Sequence, residues 1–72
     1  MPDINIPAHI TGTVWKIEVR PGDEVDEGDT VVVLESMKME MPVEAEDPGT
    51  VKEIRVEEGQ SVQEGDVLVV LE

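Results

Sequence analysis

Gly12-Thr13-Val14-Trp15-Lys16-Ile17-Glu18-Val19 and Gly49-Thr50-Val51-Lys52-Glu53-Ile54-Arg55-Val56 open two copies of one pattern, 37 positions apart. The copies run from 12 to 35 and from 49 to 72 without a gap. Fourteen of the 24 aligned pairs are identical, where average composition would give about one or two. All six glycines fall into three of these pairs, Gly12/Gly49, Gly22/Gly59 and Gly28/Gly65, so the backbone punctuation is duplicated with the apolar pattern. Two copies are too few to stack as a solenoid. Two halves that each expose an apolar face can instead close on one another, which predicts one quasi-two-fold domain over residues 1–72.

Within each copy, Ile17-Glu18-Val19 and Ile54-Arg55-Val56 alternate with the period of a half-buried strand. Turn signals follow at Arg20-Pro21-Gly22-Asp23 and Glu57-Glu58-Gly59-Gln60, then at Glu27-Gly28-Asp29 and Glu64-Gly65-Asp66. In the first, proline presets one turn φ and glycine accepts the positive φ of the next position. No segment between glycines and prolines is long enough, or has the period, for a stable helix. Strands are therefore expected near 3–6, 13–19, 24–26, 30–35, 39–44, 50–56, 61–63 and 67–71. This density of strands and turns implies an all-β fold, a sandwich or flattened barrel. Val14 and Val51 have the opposite parity to Ile17/Val19 and Ile54/Val56, which predicts a bulge or twist between them. Trp15 aligns with Lys52, so that position is not expected to be enclosed.

A chain of 72 residues without cysteine has neither disulfides nor thiolate metal ligands, and must hold itself together with an aliphatic core. The formal charge is −13, with −6 on residues 1–36 and −7 on 37–72. Such a surface repels phosphate backbones and anionic lipid, so neither nucleic acid nor membrane is an expected partner. No apolar stretch could span a bilayer and the first residues lack signal-peptide character, so a cytoplasmic protein, monomeric when isolated, is expected. The carboxylates Asp23, Asp26, Glu27 and Asp29 lack calcium-loop spacing, and His9 is the only histidine. No metal site and no catalytic set follows from these residues.

One segment lies outside the logic of the repeat. The first copy ends in Leu34-Glu35 and runs into Ser36-Met37-Lys38-Met39-Glu40. Lys38 is the only cation between Arg20 and Lys52, a stretch with ten carboxylates. Met37, Met39 and Met41 share strand parity and could line a core. A two-fold scaffold, however, must reverse direction where copy joins copy, which places Ser36 to Met39 near a protruding hairpin turn. Methionines there would be exposed beside a lone amine, as on a recognition surface.

Glu35-Ser36-Met37-Lys38-Met39-Glu40 closely resembles the attachment motif of biotinyl domains, in which the lysine of a Met-Lys-Met triplet is acylated by biotin. The resemblance runs from Gly28-Asp29 before the lysine to Pro48-Gly49-Thr50-Val51 after it. It implies a flattened barrel of two quasi-symmetric four-stranded sheets with the lysine on an exposed hairpin, in agreement with the repeat. Serine at 36 replaces the commoner alanine, and the chain is too short for the protruding thumb of the bacterial acetyl-CoA carboxylase carrier. The resemblance further implies covalent biotin on Lys38, with Met37, Met39, Glu35, Ser36 and Glu40 as recognition residues. Its partners would be a biotin protein ligase, a biotin carboxylase that loads CO2 onto the arm, and a carboxyltransferase that passes it on.

An ordinary lysine amine is protonated at neutral pH and must lose a proton before attacking an acyl group. Nothing in the motif is built as that base, so Lys38 reads as a substrate and the chain as a non-catalytic carrier. Lipoyl domains share the fold, the duplication, the hairpin lysine and positions matched by Gly28-Asp29 and Glu35, so lipoate is the alternative cofactor. Met37 and Met39 stand where lipoyl domains typically have Asp and Ala. An unmodified acidic module that binds a protein through its methionine tip is the remaining alternative.

Overall fold

The computed structural model describes residues 3–72, and every regular element in it is a strand. In chain order these are β1 (Ile4–Pro7), β2 (Gly12–Ile17), β3 (Glu24–Val25), β4 (Thr30–Ser36), β5 (Met39–Glu44), β6 (Gly49–Ile54), β7 (Ser61–Val62) and β8 (Val67–Leu71). They form two antiparallel four-stranded sheets, ordered β5-β4-β2-β7 and β1-β8-β6-β3. The first, here the near sheet, contains the hairpin that joins the copies. The expected all-β flattened barrel-sandwich is the fold observed.

Adding 37 to a residue number turns one sheet into the other. β2, β3 and β4 become β6, β7 and β8, as the repeat predicts. β1 becomes β5 as well, although Ala8/Ala45 is the single identity between residues 4–11 and 41–48. The registers coincide: Ile4 faces Leu71 as Met41 faces Leu34, and Asn5 faces Val70 as Pro42 faces Val33. Even the irregularities are paired. The ladders slip between Val14 and Lys16 and between Val51 and Glu53, which is the bulge that the change of parity predicts.

The predicted strands at 13–19 and 50–56 end early, at Ile17 and Ile54. There the chain leaves one sheet for the other, yet Glu18 N–H still donates to Val31 O and Arg55 N–H to Leu68 O. Val19 and Val56 therefore remain buried beyond the strand ends.

Val, Leu and Ile fill the space between the sheets, led by Leu34, Leu68, Leu71, Val14 and Val51, and no polar side chain is buried among the described residues. Four similar turns tie the layers together. In Arg20–Asp23, Asp26–Asp29, Glu57–Gln60 and Gln63–Asp66 the fourth N–H donates to the first carbonyl, at 3.0 to 3.1 Å. The fourth side chain in turn accepts the first residue's N–H, at 2.9 to 3.1 Å. Asp23 and Asp29 thus act as turn caps, which accounts for two of the four carboxylates around Gly28.

Candidate functional site: the β4–β5 hairpin tip

β4 and β5 pair all the way to their ends, with Glu35 opposite Glu40 and Ser36 opposite Met39. Two residues, Met37 and Lys38, are left to make the turn. Two-residue hairpin turns match the right-handed twist of their strands when both central residues have positive φ, a geometry suited to Asn-Gly. Here the values are 52° at Met37 and 64° at Lys38. Neither residue has glycine's freedom, so the turn stores on the order of 1–2 kcal/mol at each position. The short turn leaves no slack between the strands, and Lys38 is presented at a defined apex.

The side chains around the apex face water. Met37 is 92% exposed and Met39 63%, while Met41, one turn of the pleat further in, is half-buried. The core role that their shared parity permits is thus not taken by Met37 or Met39. Lys38 is exposed, and among the described residues its amine makes no ion pair or hydrogen bond; the ion pairs are Lys16–Glu18, Lys52–Asp3 and Arg55–Glu53. A free primary amine on a rigid projection fits an acyl group that must extend away from the scaffold.

All six residues singled out in the sequence, Glu35 to Glu40, converge on this hairpin end. His9 lies beyond β1, exposed and away from it. An open cleft of about 860 Å³ runs between the edges of β1 and β5, beside Ile4, Ile6, Glu44 and Asp47, and includes none of residues 35–40. Among the described residues no group of three His, Asp or Glu side chains is placed to hold a metal ion.

Gly12 also belongs to the site, a role that sequence reasoning did not assign. A Cβ at this position would sit 2.6 Å from the carbonyl oxygen of Glu35, a contact that real Cβ atoms do not make. β2 can therefore brace the base of the hairpin only because residue 12 has no side chain. The available signal was the invariance of Gly12/Gly49 at the head of both copies.

Known proteins similar to this chain in sequence or shape include attachment proteins and carboxylases. The sequence model of the family described as "Biotin-requiring enzyme" matches residues 2–71. A biotin/lipoyl attachment protein of Bacillus subtilis (strain 168) is 44% identical over 43 residues, which are 60% of this chain and 59% of that protein. The methylmalonyl-CoA carboxyltransferase 1.3S subunit of Propionibacterium freudenreichii subsp. shermanii is 63% identical over 35 residues, 49% of this chain and 28% of that one. This chain thus spans about three fifths or less of either relative. The crystal structure of Kluyveromyces lactis urea carboxylase matches with a TM-score of 0.92 at 35% identity, over 99% of this chain and 6% of the larger one. Duplicated sheets, a lysine-bearing hairpin and a family match over nearly the whole length agree, and the chain belongs to the biotin/lipoyl attachment domain family.

Proposed function

We propose that this chain is a biotin carboxyl carrier whose Lys38 is acylated by biotin. The observation that carries the reading is the tip itself: an unpaired amine on a tight turn with two positive φ values, between two exposed methionines. The similarity to a carboxyltransferase subunit and to a segment of a urea carboxylase supports biotin as the group attached.

In the acylation, Nζ of Lys38 loses its proton and attacks the carboxyl carbon of biotinyl adenylate. The amide bond forms as the bond to the phosphate oxygen breaks and AMP leaves. With no acceptor on Nζ among the described residues, a biotin protein ligase must supply the base. Met37 and Met39 would offer that ligase apolar contacts, with Glu35, Ser36 and Glu40 setting their orientation. The attached biotin would carry CO2 between a biotin carboxylase and a carboxyltransferase in the cytoplasm. The scaffold performs no chemistry of its own; tethering raises the local concentration of the arm at both sites.

The test is peptide-resolved mass spectrometry of the protein made in a host with active biotin and lipoate ligases, with Lys38→Arg as the control. A biotinyl increment on Lys38 and none in the variant is the expected result. A lipoyl increment would assign the domain to lipoate instead. An unmodified Lys38 would leave the acidic binding module as the better reading.

A further inference from the structure

The pseudo-symmetry relates the outer faces of the two sheets residue by residue, and at one point the faces are opposites. On the sheet remote from the tip, the extra residue at the β6 bulge is Lys52. Its amine lies 2.9 Å from Asp3 Oδ2. Asp3 precedes β1, so this contact spans β8, the strand between β6 and β1. Val70 on β8 lies outside the inter-sheet core, yet it is only 4% exposed.

On the near sheet the corresponding residues are Trp15, Glu40 and Val33. Trp15 is the extra residue of the β2 bulge and is 48% exposed. Val33 is half-buried where Val70 is covered, and Pro42, where the other sheet has Asn5, is exposed. Glu40 has no cationic partner among the described residues. The remote sheet therefore contains the cation its acidic residue needs. In the near sheet tryptophan occupies that cation's place, and Glu40 is left to find one elsewhere. Glu40 faces Glu35 two positions from the turn, while Trp15 lies two strands across, about 10 Å away at ordinary strand spacing.

We infer that Trp15, Val33 and Pro42, with Glu40 at their tip-side edge, form a docking surface for the ligase that acylates Lys38. The ligase would lay an apolar contact on Trp15 and a lysine or arginine on Glu40. An enzyme that encloses the tip covers Glu40, and from there its surface runs directly onto Trp15, so no separate interface is required. Aromatic side chains at the centre of a desolvated contact carry a large share of binding energy, and a carboxylate at its edge selects a basic partner surface. This inference rests on the carrier reading above and adds to it a contact beyond the Met-Lys-Met tip.

The substitution that tests it is supplied by the molecule. Lysine is already accommodated at the equivalent bulge position, so Trp15→Lys should fold and should set its amine against Glu40 as Lys52 sets its own against Asp3. Initial rates of biotin incorporation by a purified biotin protein ligase, with biotin and ATP, would be measured against carrier concentration. Trp15→Lys and the uncharged Trp15→Gln should each raise KM about tenfold with kcat and the thermal midpoint unchanged. Lys52→Trp on the remote sheet should behave as wild type. Trp15 is the only tryptophan, so 5-fluorotryptophan gives a single 19F resonance that should shift when unlabelled ligase is added. Wild-type KM in Trp15→Gln, or an unmoved resonance at saturating ligase, would overturn the docking surface and leave the carrier reading intact. Failure of wild-type Lys38 to be modified would overturn the carrier reading itself.

Discussion

Arg20–Asp23, Asp26–Asp29, Glu57–Gln60 and Gln63–Asp66 each require one residue at positive φ, and each time a glycine supplies it, with φ between 91° and 96°. Each is also closed by the side chain of its fourth residue. The turn at Met37-Lys38 needs two consecutive positive φ values, uses no glycine, and has no side-chain cap of this kind. Four turns are relaxed and one is strained, and the strained one carries the amine. The scaffold turns satisfy the backbone locally. The tip instead relies on the β4–β5 ladder to impose a conformation that its own residues disfavour.

That division makes the two copies equivalent in the core and unequal at their ends, and the core gives the largest test. Leu34 and Leu71 are symmetry mates with no exposed surface. Leu34→Ala and Leu71→Ala should each cost about 2–5 kcal/mol, close to the whole stability of so small a domain. Chemical denaturation should find the two losses equal to within about 1 kcal/mol. A much smaller loss for one would show that the geometric symmetry is not an energetic one.

The glycines at the heads of the copies should separate more clearly. A Cβ on Gly12 meets backbone oxygen at 2.6 Å, whereas on Gly49 the nearest atoms are Glu72 O at 3.2 Å and Leu71 Cβ at 3.3 Å. Gly12→Ala should therefore cost about 1–3 kcal/mol as overpacking against the backbone, with Gly49→Ala costing less. Because the displaced group is Glu35, Gly12→Ala should also slow the proposed acylation of Lys38, and Gly49→Ala should not. Denaturation curves and ligase rates on the two variants check both halves of this expectation.

The repeat made the scaffold legible because its identities lie where backbone geometry is demanding, at glycines, turns and core valines. The repeat identities do not extend to β1 and β5, although the sequence marks both as strands. These edge strands share a register and alternate burial, with Ile6 and Val43 both in the core, but they share almost no residue types. An edge strand packs on one neighbour only, so apolar parity suffices and identity is free to vary. At the site, the junction position pointed to the tip and its exposure. The positive φ values were hidden, since neither methionine nor lysine favours that region, and only the pairing of Ser36 with Met39 forces it. The bulge was visible as a change of parity, but the contrast between Lys52 and Trp15 became meaningful only once Asp3 and Glu40 occupied matching places.

If strain at the tip serves presentation of the amine, relieving it should help folding and harm function. Asparagine tolerates positive φ far better than methionine, so Met37→Asn should raise stability by about 0.5–1 kcal/mol. It also removes an apolar group that the ligase is proposed to contact, and acylation should slow. A variant that is more stable and equally well acylated would show that Met37 is neither a source of strain that matters nor a recognition residue.

The smallest effect concerns the one ion pair that distinguishes the outer faces. The hydrogen bond and charge of Asp3, followed by Glu72 and Glu53, hold the Lys52 amine above its ordinary value of 10.5. A group whose pKa is raised by folding binds its proton more tightly in the folded state, so its contribution is complete below the unfolded value and disappears as pH rises through the folded one. Lys52 should thus add a small increment of stability that is constant through neutral pH and lost only above about pH 10.5. Salt should shrink it, since both partners are open to water. Comparing Lys52→Met with wild type in denaturation curves between pH 7 and 11 isolates the pair: the difference should narrow toward the alkaline end and at high salt. A difference that persists unchanged at both extremes would mean that something other than the charge of Lys52 stabilises the remote face.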